Sequence, residues 1–171
     1  MTRVAMVTFG SKGDVHPLLA LGRGLRSRGH EVIVLSNPLA QEDVSRAGLS
    51  FRAVGTLADG EATMAHPKLW HPVDGLGVMW RYLLRPALEP TYEAIASLAS
   101  QQPTVVVASP MAMGARLAQD RLGVPVVSVY TSPTLLRSGP FASKLRMRSP
   151  ASSNTCVKSR KPLSTLPNLR Q

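Results

Sequence analysis

The sequence predicts an α/β domain with a doubly wound parallel sheet over about residues 1–136 of 171. Three observations carry that expectation. Short apolar runs stopped by glycine alternate with segments whose apolar residues recur at helical spacing. The strand-like runs are apolar on both faces, as in a sheet covered by helices on either side. The connections are short, so the order β-α-β-α-β implies right-handed crossovers between parallel strands.

Arg3 to Phe9 is a buried strand ended by the glycine-rich turn Gly10-Ser11-Lys12-Gly13-Asp14. From Pro17 to Arg28, Leu18, Leu21 and Leu25 fall on one helical face, Arg23 and Arg26 on the other, and Gly29 stands where a helix ends. His30–Ser36 is a second strand, Pro38–Ala47 a second helix stopped by Gly48, and Phe51–Val54 a third strand. Thr56 to Asp74 shows no clear period and holds two His-Pro steps, so an irregular loop is expected there; loops this long in an α/β unit tend to be functional. Leu76 to Ser100 reads as a long helix bent or broken at Pro86 and Pro90. Val105–Val107, Met113–Leu122 with Gly123, and Val126–Tyr130 complete the pattern as strand, helix and strand.

Composition narrows the class. Aromatics make up only 5% of the chain, so aliphatic side chains must fill the core. No run approaches the ~18 apolar residues of a membrane-spanning helix. The run after Arg3 lacks the small-residue cleavage site of a secretory signal. A single cysteine, Cys156, excludes an internal disulfide and a Cys-rich zinc site, and a reducing cytoplasm is the expected compartment. The net charge of +10 is uneven along the chain. Arg137, Lys144, Arg146, Arg148, Lys158, Arg160, Lys161 and Arg170 lie in 137–171, which holds no acid, so the preceding body is nearly neutral. The basic Ser/Pro-rich segment 137–171 cannot bury enough apolar surface to offset its ordering entropy, and disorder is expected. An arm for nucleic acid or anionic lipid is the competing reading.

In doubly wound sheets ligands bind beyond the carboxyl ends of the strands. Three segments converge there: Gly10 to Asp14, Ser109-Pro110-Met111, and Thr131-Ser132-Pro133. The first turn is not a P-loop, because Lys12 lies between the glycines, and it is not G-x-G-x-x-G. Strand two ends in Ser36-Asn37 without the acid that holds a ribose, which disfavours nicotinamide chemistry. G-x-S-x-G, H-E-x-x-H and D-x-D are all absent and the four histidines are scattered, so no metal site and no cofactor are expected. Asp14 has two readings: an N-cap for the first helix, or a general base facing the cleft. His16 reads as a first-turn residue lining that cleft.

Gly10-Ser11-Lys12-Gly13-Asp14-Val15-His16-Pro17, followed by Leu18-Leu19-Ala20-Leu21-Gly22, Arg28-Gly29-His30-Glu31-Val32 and Ala47-Gly48-Leu49-Ser50-Phe51, resembles the N-terminal domain of glycosyltransferase family 28. Pro67-Lys68-Leu69-Trp70, Gly77-Val78-Met79-Trp80, Glu89-Pro90-Thr91-Tyr92, Met113 to Ala118, Gly123-Val124-Pro125 and Ser132-Pro133-Thr134 look like its bacterial rhamnosyltransferase branch, which acts on hydroxyfatty-acid lipids and stands near the sterol glucosyltransferases. The resemblance implies one of two facing Rossmann-like halves of a GT-B enzyme. This half would take the acceptor, and a second would take a UDP- or dTDP-hexose. It implies Asp14 as the base, with Gly10, Ser11, Gly13 and His16 at the donor phosphate or cleft. It also implies a hydrophobic hydroxyl acceptor such as a hydroxyacyl lipid, peripheral contact with the inner membrane face, and no specific nucleic acid. Met64, Trp70, Met79, Trp80, Ser109 and Ser132 are the candidate acceptor residues. Soft and aromatic side chains adapt to an alkyl chain, although Val78, Met79 and Leu83 also suit a buried helix face.

The resemblance fades after about Leu136, and no donor-binding motif follows within the 171 residues, so a truncated, frameshifted or misannotated product is expected. A non-catalytic lipid or small-molecule module is the alternative function. A basic-tailed nucleic-acid binder is disfavoured by the neutral body and by a tail without interleaved aromatics.

Overall fold

Five parallel strands in the order β3-β2-β1-β4-β5 form one sheet: β1 (Arg3–Val7), β2 (Glu31–Ser36), β3 (Ser50–Ala53), β4 (Thr104–Ala108) and β5 (Val126–Ser128). The computed structural model describes residues 2–132; the segment 137–171, for which disorder is expected, lies outside the described residues. Chain contacts separate a unit Met1–Leu135 from a second, Leu136–Gln171, and every described residue belongs to the first. The chain steps outward from β1 to β3, then returns to the other side of β1 for β4. Strand order reverses there, and the connections diverge beyond the carboxyl ends of β1 and β4.

Alternation along β1 divides the core. Val4 and Met6 pack with Val15, Leu18 and Leu19 of α1 (Lys12–Ser27) and Val44 of α2 (Gln41–Arg46). Ala5 and Val7 face the opposite layer, made by Ala94, Ile95 and Leu98 of α5 (Arg85–Gln101) and Ala115 and Ala118 of α6 (Met113–Leu122). Both faces are apolar because both are covered. α6 ends at Gly123, whose φ of +67° suits the left-handed residue that closes a helix.

Four expectations change. α1 begins at Lys12, five residues ahead of Pro17, so the proline sits inside the helix. Its missing N–H leaves the carbonyl of exposed Gly13 to solvent, a tolerable loss so near a helix start. The stretch Thr56–Asp74 is not irregular throughout, because Leu57–Ala65 forms α3. Thr56 Oγ1 accepts the Asp59 N–H at 3.1 Å, and Asp59 Oδ2 accepts the Thr56 hydroxyl at 2.6 Å. This capping box starts a helix whose apolar period is weak. The long helix is continuous from α4 (Gly75–Met79) through a π-helical turn (Trp80–Leu84) into α5. The wider turn lies directly ahead of Pro86, whose ring excludes a regular bond to the Tyr82 carbonyl. Between Pro38 and Ala47 the expected helix divides into a 3₁₀ turn, Pro38–Ala40, and α2.

Candidate functional site

At the carboxyl edge the chain leaves β1 and turns into α1 at Gly10, whose φ is +127°. Side-chain-bearing residues rarely adopt that conformation. A Cβ at this position would also stand 2.5 Å from Asp14 Oδ2. Sterics and backbone conformation therefore both demand glycine here, and the reason is the Asp14 carboxylate. Asp14 Oδ2 accepts the Ser11 backbone N–H at 3.2 Å and the Ser11 hydroxyl at 3.3 Å. Asp14 Oδ1 accepts the hydroxyl of Thr131, beyond β5, at 3.1 Å.

The N-cap reading of Asp14 is thus corrected. Ser11 is the N-cap, and Asp14 stands three positions on and reaches back to satisfy an otherwise unpaired donor. Ser11-x-x-Asp14 carries this signature in plain sight. The base reading is compatible with the observed bonds. A carboxylate has about four lone-pair sites, and three donors leave one on Oδ1. Thr131, placed only within a converging segment by its sequence, is the partner that orients that oxygen.

Asp14, Gly10 and Ser11 form one wall of a pocket of about 70 Å³, and Thr63, Met64, Leu69, Trp70, Met79 and Leu83 form the other. The apolar wall comes from α3, the turns after it, and the α4–π segment. Ring contact between His66 and Tyr82, with centroids 5.5 Å apart, fixes those turns on the long helix. Lys68 and His71 both meet Asp74, at 3.2 and 3.5 Å.

Six of the candidate residues therefore share one pocket: Gly10, Ser11, Asp14, Met64, Trp70 and Met79. Gly13 and Trp80 do not line it. Trp80 lies on the outer face of the π turn and is 44% exposed. His16 is separated from Asp14 by about 200° of helix rotation, so it points instead into a groove between α1 and α2. There its Nε2 lies 3.4 Å from Asp43 Oδ2, beside Arg23 and Arg46. Ser109 is buried at the end of β4; its N–H donates to the Val7 carbonyl at 2.9 Å, and its hydroxyl has no partner among the described residues. Ser132 follows Thr131 and also lies outside the pocket lining. Leu69, Leu83 and Thr63 complete the lining; the first two belong to the apolar concentration visible in the sequence, while Thr63 carries no such signal.

The opposite edge of the sheet has its own ionic tie. Arg3 Nε donates to Glu31 Oε2 at 3.0 Å and Gln102 donates to the same oxygen at 2.6 Å. The Arg3 hydrogen bond, outweighing the opposing effect of burial, holds the Glu31 carboxyl below its ordinary 4.5.

Residues 4–138 match the glycosyltransferase family 28 N-terminal domain. The chain belongs to that family. A sterol 3-beta-glucosyltransferase from Eremothecium gossypii is 33% identical over 144 residues, 80% of this family 28 chain and 11% of that protein. The O-mycaminosyltylonolide 6-deoxyallosyltransferase of Streptomyces fradiae is 48% identical over 62 residues, 36% of this chain and 15% of that protein. The solved structure of the Streptomyces sp. SF2575 glycosyltransferase SsfS6, complexed with thymidine diphosphate, gives a TM-score of 0.58 at 25% identity over 76% of this chain and 38% of that one. The glycosyltransferase SnogD from Streptomyces nogalater shares the fold, with a TM-score of 0.59 at 24% identity over 78% of this chain and 35% of that one. In each of these comparisons the family 28 chain spans well under half of the other protein. Its Rossmann-like sheet is that of the GT-B glycosyltransferases.

Proposed function

We propose that this domain binds the acceptor of a hexosyl transfer, with Asp14 as the general base and the nucleotide-sugar held by a second domain. The observation that carries the reading is the shared pocket, in which one carboxylate meets an apolar wall at the switch point of the sheet. Its volume of about 70 Å³ is well below the roughly 300 Å³ of a pocket that encloses a whole ligand. It suits the hydroxyl-bearing end of an acceptor whose remainder runs out past exposed Trp70. Similarity to sterol glucosyltransferases supports a hydrophobic hydroxyl acceptor. A 3-hydroxyacyl lipid fits the same chemistry, because its hydroxyl lies beside an alkyl chain. Likeness to a thymidine-diphosphate complex supports a UDP- or dTDP-hexose donor.

In the proposed step the acceptor oxygen attacks the anomeric carbon while its proton passes to Asp14 Oδ1. The bond from that carbon to the diphosphate oxygen breaks, and the electron pair leaves with the diphosphate. The Lys12 and Gly13 N–H groups, at the first two positions of α1, have no hydrogen-bond partner among the described residues and, as donors of a helix start, would favour that developing charge. The binding half is testable on this chain. A short 3-hydroxyacyl ester, titrated below its micelle concentration, should change tryptophan emission saturably through Trp70. Met64→Glu should weaken that binding at least about tenfold by placing a charge on the apolar wall. An unchanged spectrum at saturation would count against the site.

A further inference from the structure

The pocket wall that depends least on the hydrophobic core is α3. Of its nine residues only Gly60 and Thr63 are buried, while Leu57 and Met64 are exposed. Burial of an apolar face usually holds a helix to its domain, and α3 has little such face. Thr63 and Met64 nonetheless line the pocket, so whatever holds α3 also sets the pocket's width. Beyond its C-terminal end, the His66 ring rests on Tyr82. At its N-terminal end the holder is Asn37. This residue leaves β2 where a dinucleotide-binding sheet carries its ribose-binding acid, and here it is buried under α3 instead. Asn37 Nδ2 donates to the Thr56 carbonyl at 2.9 Å, and Asn37 Oδ1 accepts the Leu39 N–H at 3.0 Å. With both ends of the amide engaged, Asn37 cannot turn aside without losing two hydrogen bonds. Gly60 lies directly against it: a Cβ there would stand 2.4 Å from Asn37 Oδ1, 2.9 Å from its Cγ and 2.8 Å from Leu39 Cδ1. Glycine disfavours a helix interior relative to alanine, and Gly60 has no positive φ to require it. Close approach to Asn37 is the reason for it.

We propose that the Asn37–Gly60 contact, outside the pocket, determines which acceptors the pocket admits. It draws α3 in until a hydroxyl on a straight chain fits between Met64 and Asp14 and a hydroxyl beside a branch does not. Asn37 and Gly60 are positioning residues, since neither lines the pocket. The inference rests on the acceptor reading and deepens it by naming the acceptor class. An added Cβ at Gly60 needs about 1 Å of clearance, the gap between 2.4 Å and the 3.4 Å at which ordinary contact begins. Asn37 is fixed by its two bonds and α3 buries little, so α3 is the partner that yields. Its outward shift carries Thr63 and Met64 away from Asp14.

The experiment titrates the full chain, by calorimetry, with two short 3-hydroxyacyl esters below their micelle concentrations. One has a straight chain, and the other carries a methyl branch on the carbon beyond the hydroxyl. Wild type should bind the straight ester about tenfold or more tightly, the low end of what one carbon decides in an apolar pocket. Gly60→Ala should bring the two affinities within about threefold, chiefly by gaining the branched ester. Asn37→Asp keeps the side chain's shape and the Leu39 bond but sets an oxygen against the Thr56 carbonyl. It should relax the preference in the same direction. In the ligand-free chain it should also speed amide hydrogen exchange across α3 about fivefold, the equivalent of one hydrogen bond. Gly77→Ala is the control, because its Cβ would meet nothing within 4 Å, and it should change neither readout. Far-ultraviolet circular dichroism checks that each variant stays folded. Wild-type binding of both esters with equal affinity would overturn the inference alone. So would a preference that both variants leave unchanged, or α3 exchange indifferent to Asn37→Asp. Failure of wild type to bind either ester would instead overturn the acceptor reading, and this inference with it.

Discussion

Replacing Gly10 by alanine tests the turn at the heart of the site. The new Cβ would stand 2.5 Å from Asp14 Oδ2 and 3.1 Å from Cγ, at a backbone φ of +127°. A side-chain-bearing residue held in so sparsely populated a region costs about 2 kcal/mol. Relieving the clash requires Asp14 to swing away from Ser11 and Thr131. Those bonds are 3.1–3.3 Å long and mostly exposed, so together they are worth about 1 kcal/mol after solvent screening. Lower entropy in the unfolded chain returns about 0.5 kcal/mol. The net loss is about 2.5 kcal/mol, or roughly 5–10 °C in Tm for a domain of this size. Thermal unfolding followed by circular dichroism measures it, and repeating the substitution in an Asp14→Ala background isolates the clash. There the cost should shrink by about 1 kcal/mol, the coupling expected of touching groups. Equal losses in both backgrounds would refute the contact between this turn and Asp14.

Thr131→Val should cost about 1 kcal/mol or less in stability while freeing Asp14 Oδ1, so acceptor affinity should move more than Tm does; calorimetry with the 3-hydroxyacyl ester compares the two. Gly114→Ala should destabilise by about 2 kcal/mol, because the added Cβ would meet Thr91 Cβ at 2.6 Å and the Leu88 carbonyl where α6 packs on α5; urea unfolding checks it. The depressed Glu31 carboxyl contributes stability above its unfolded value near 4.5 and loses it as pH falls through its lower folded value. Wild type should therefore exceed Glu31→Gln by a constant margin from pH 7 to about 5, and the margin should shrink below that; a pH series of melting curves shows whether it does.

The strands are legible because a covered parallel sheet needs short apolar runs, and 3–7, 31–36 and 104–108 are such runs with glycine or proline close by. α6 is legible for a related reason: its period is regular and Gly123 ends it. α3 is hidden, since Thr56-x-x-Asp59 begins it but its own residues give little apolar stripe. The same capping signature stands at Ser11-x-x-Asp14, where taking Asp14 as the cap, with Pro17 in the first turn, puts the cap three residues late. Site membership follows similar limits. Asp14 and the Met64–Leu83 concentration lie in segments that topology brings to one sheet edge, so their meeting is partly readable. His16 is close to Asp14 in sequence, yet helix rotation sends it to the α2 side. Thr131 needs the β5 register before its hydroxyl can be matched with a carboxylate 117 residues away.

The proposal that Asp14 accepts the acceptor's proton is tested most directly by Asp14→Asn in this domain joined to the donor-binding domain of a family member. Asparagine keeps the size of the side chain and one oxygen for the Ser11 donors, and its amide NH2 can donate to the Thr131 hydroxyl oxygen in place of the bond that Oδ1 accepts, but it cannot take up a proton. Loss of a general base typically lowers turnover about 10²–10⁴-fold, or about 3–5 kcal/mol of barrier. The account predicts a fall in that range with Tm within a few degrees of wild type and acceptor affinity within a few-fold. Turnover within a few-fold of wild type, with the same acceptor and donor, would contradict it and leave Asp14 as the anchor of a helix start.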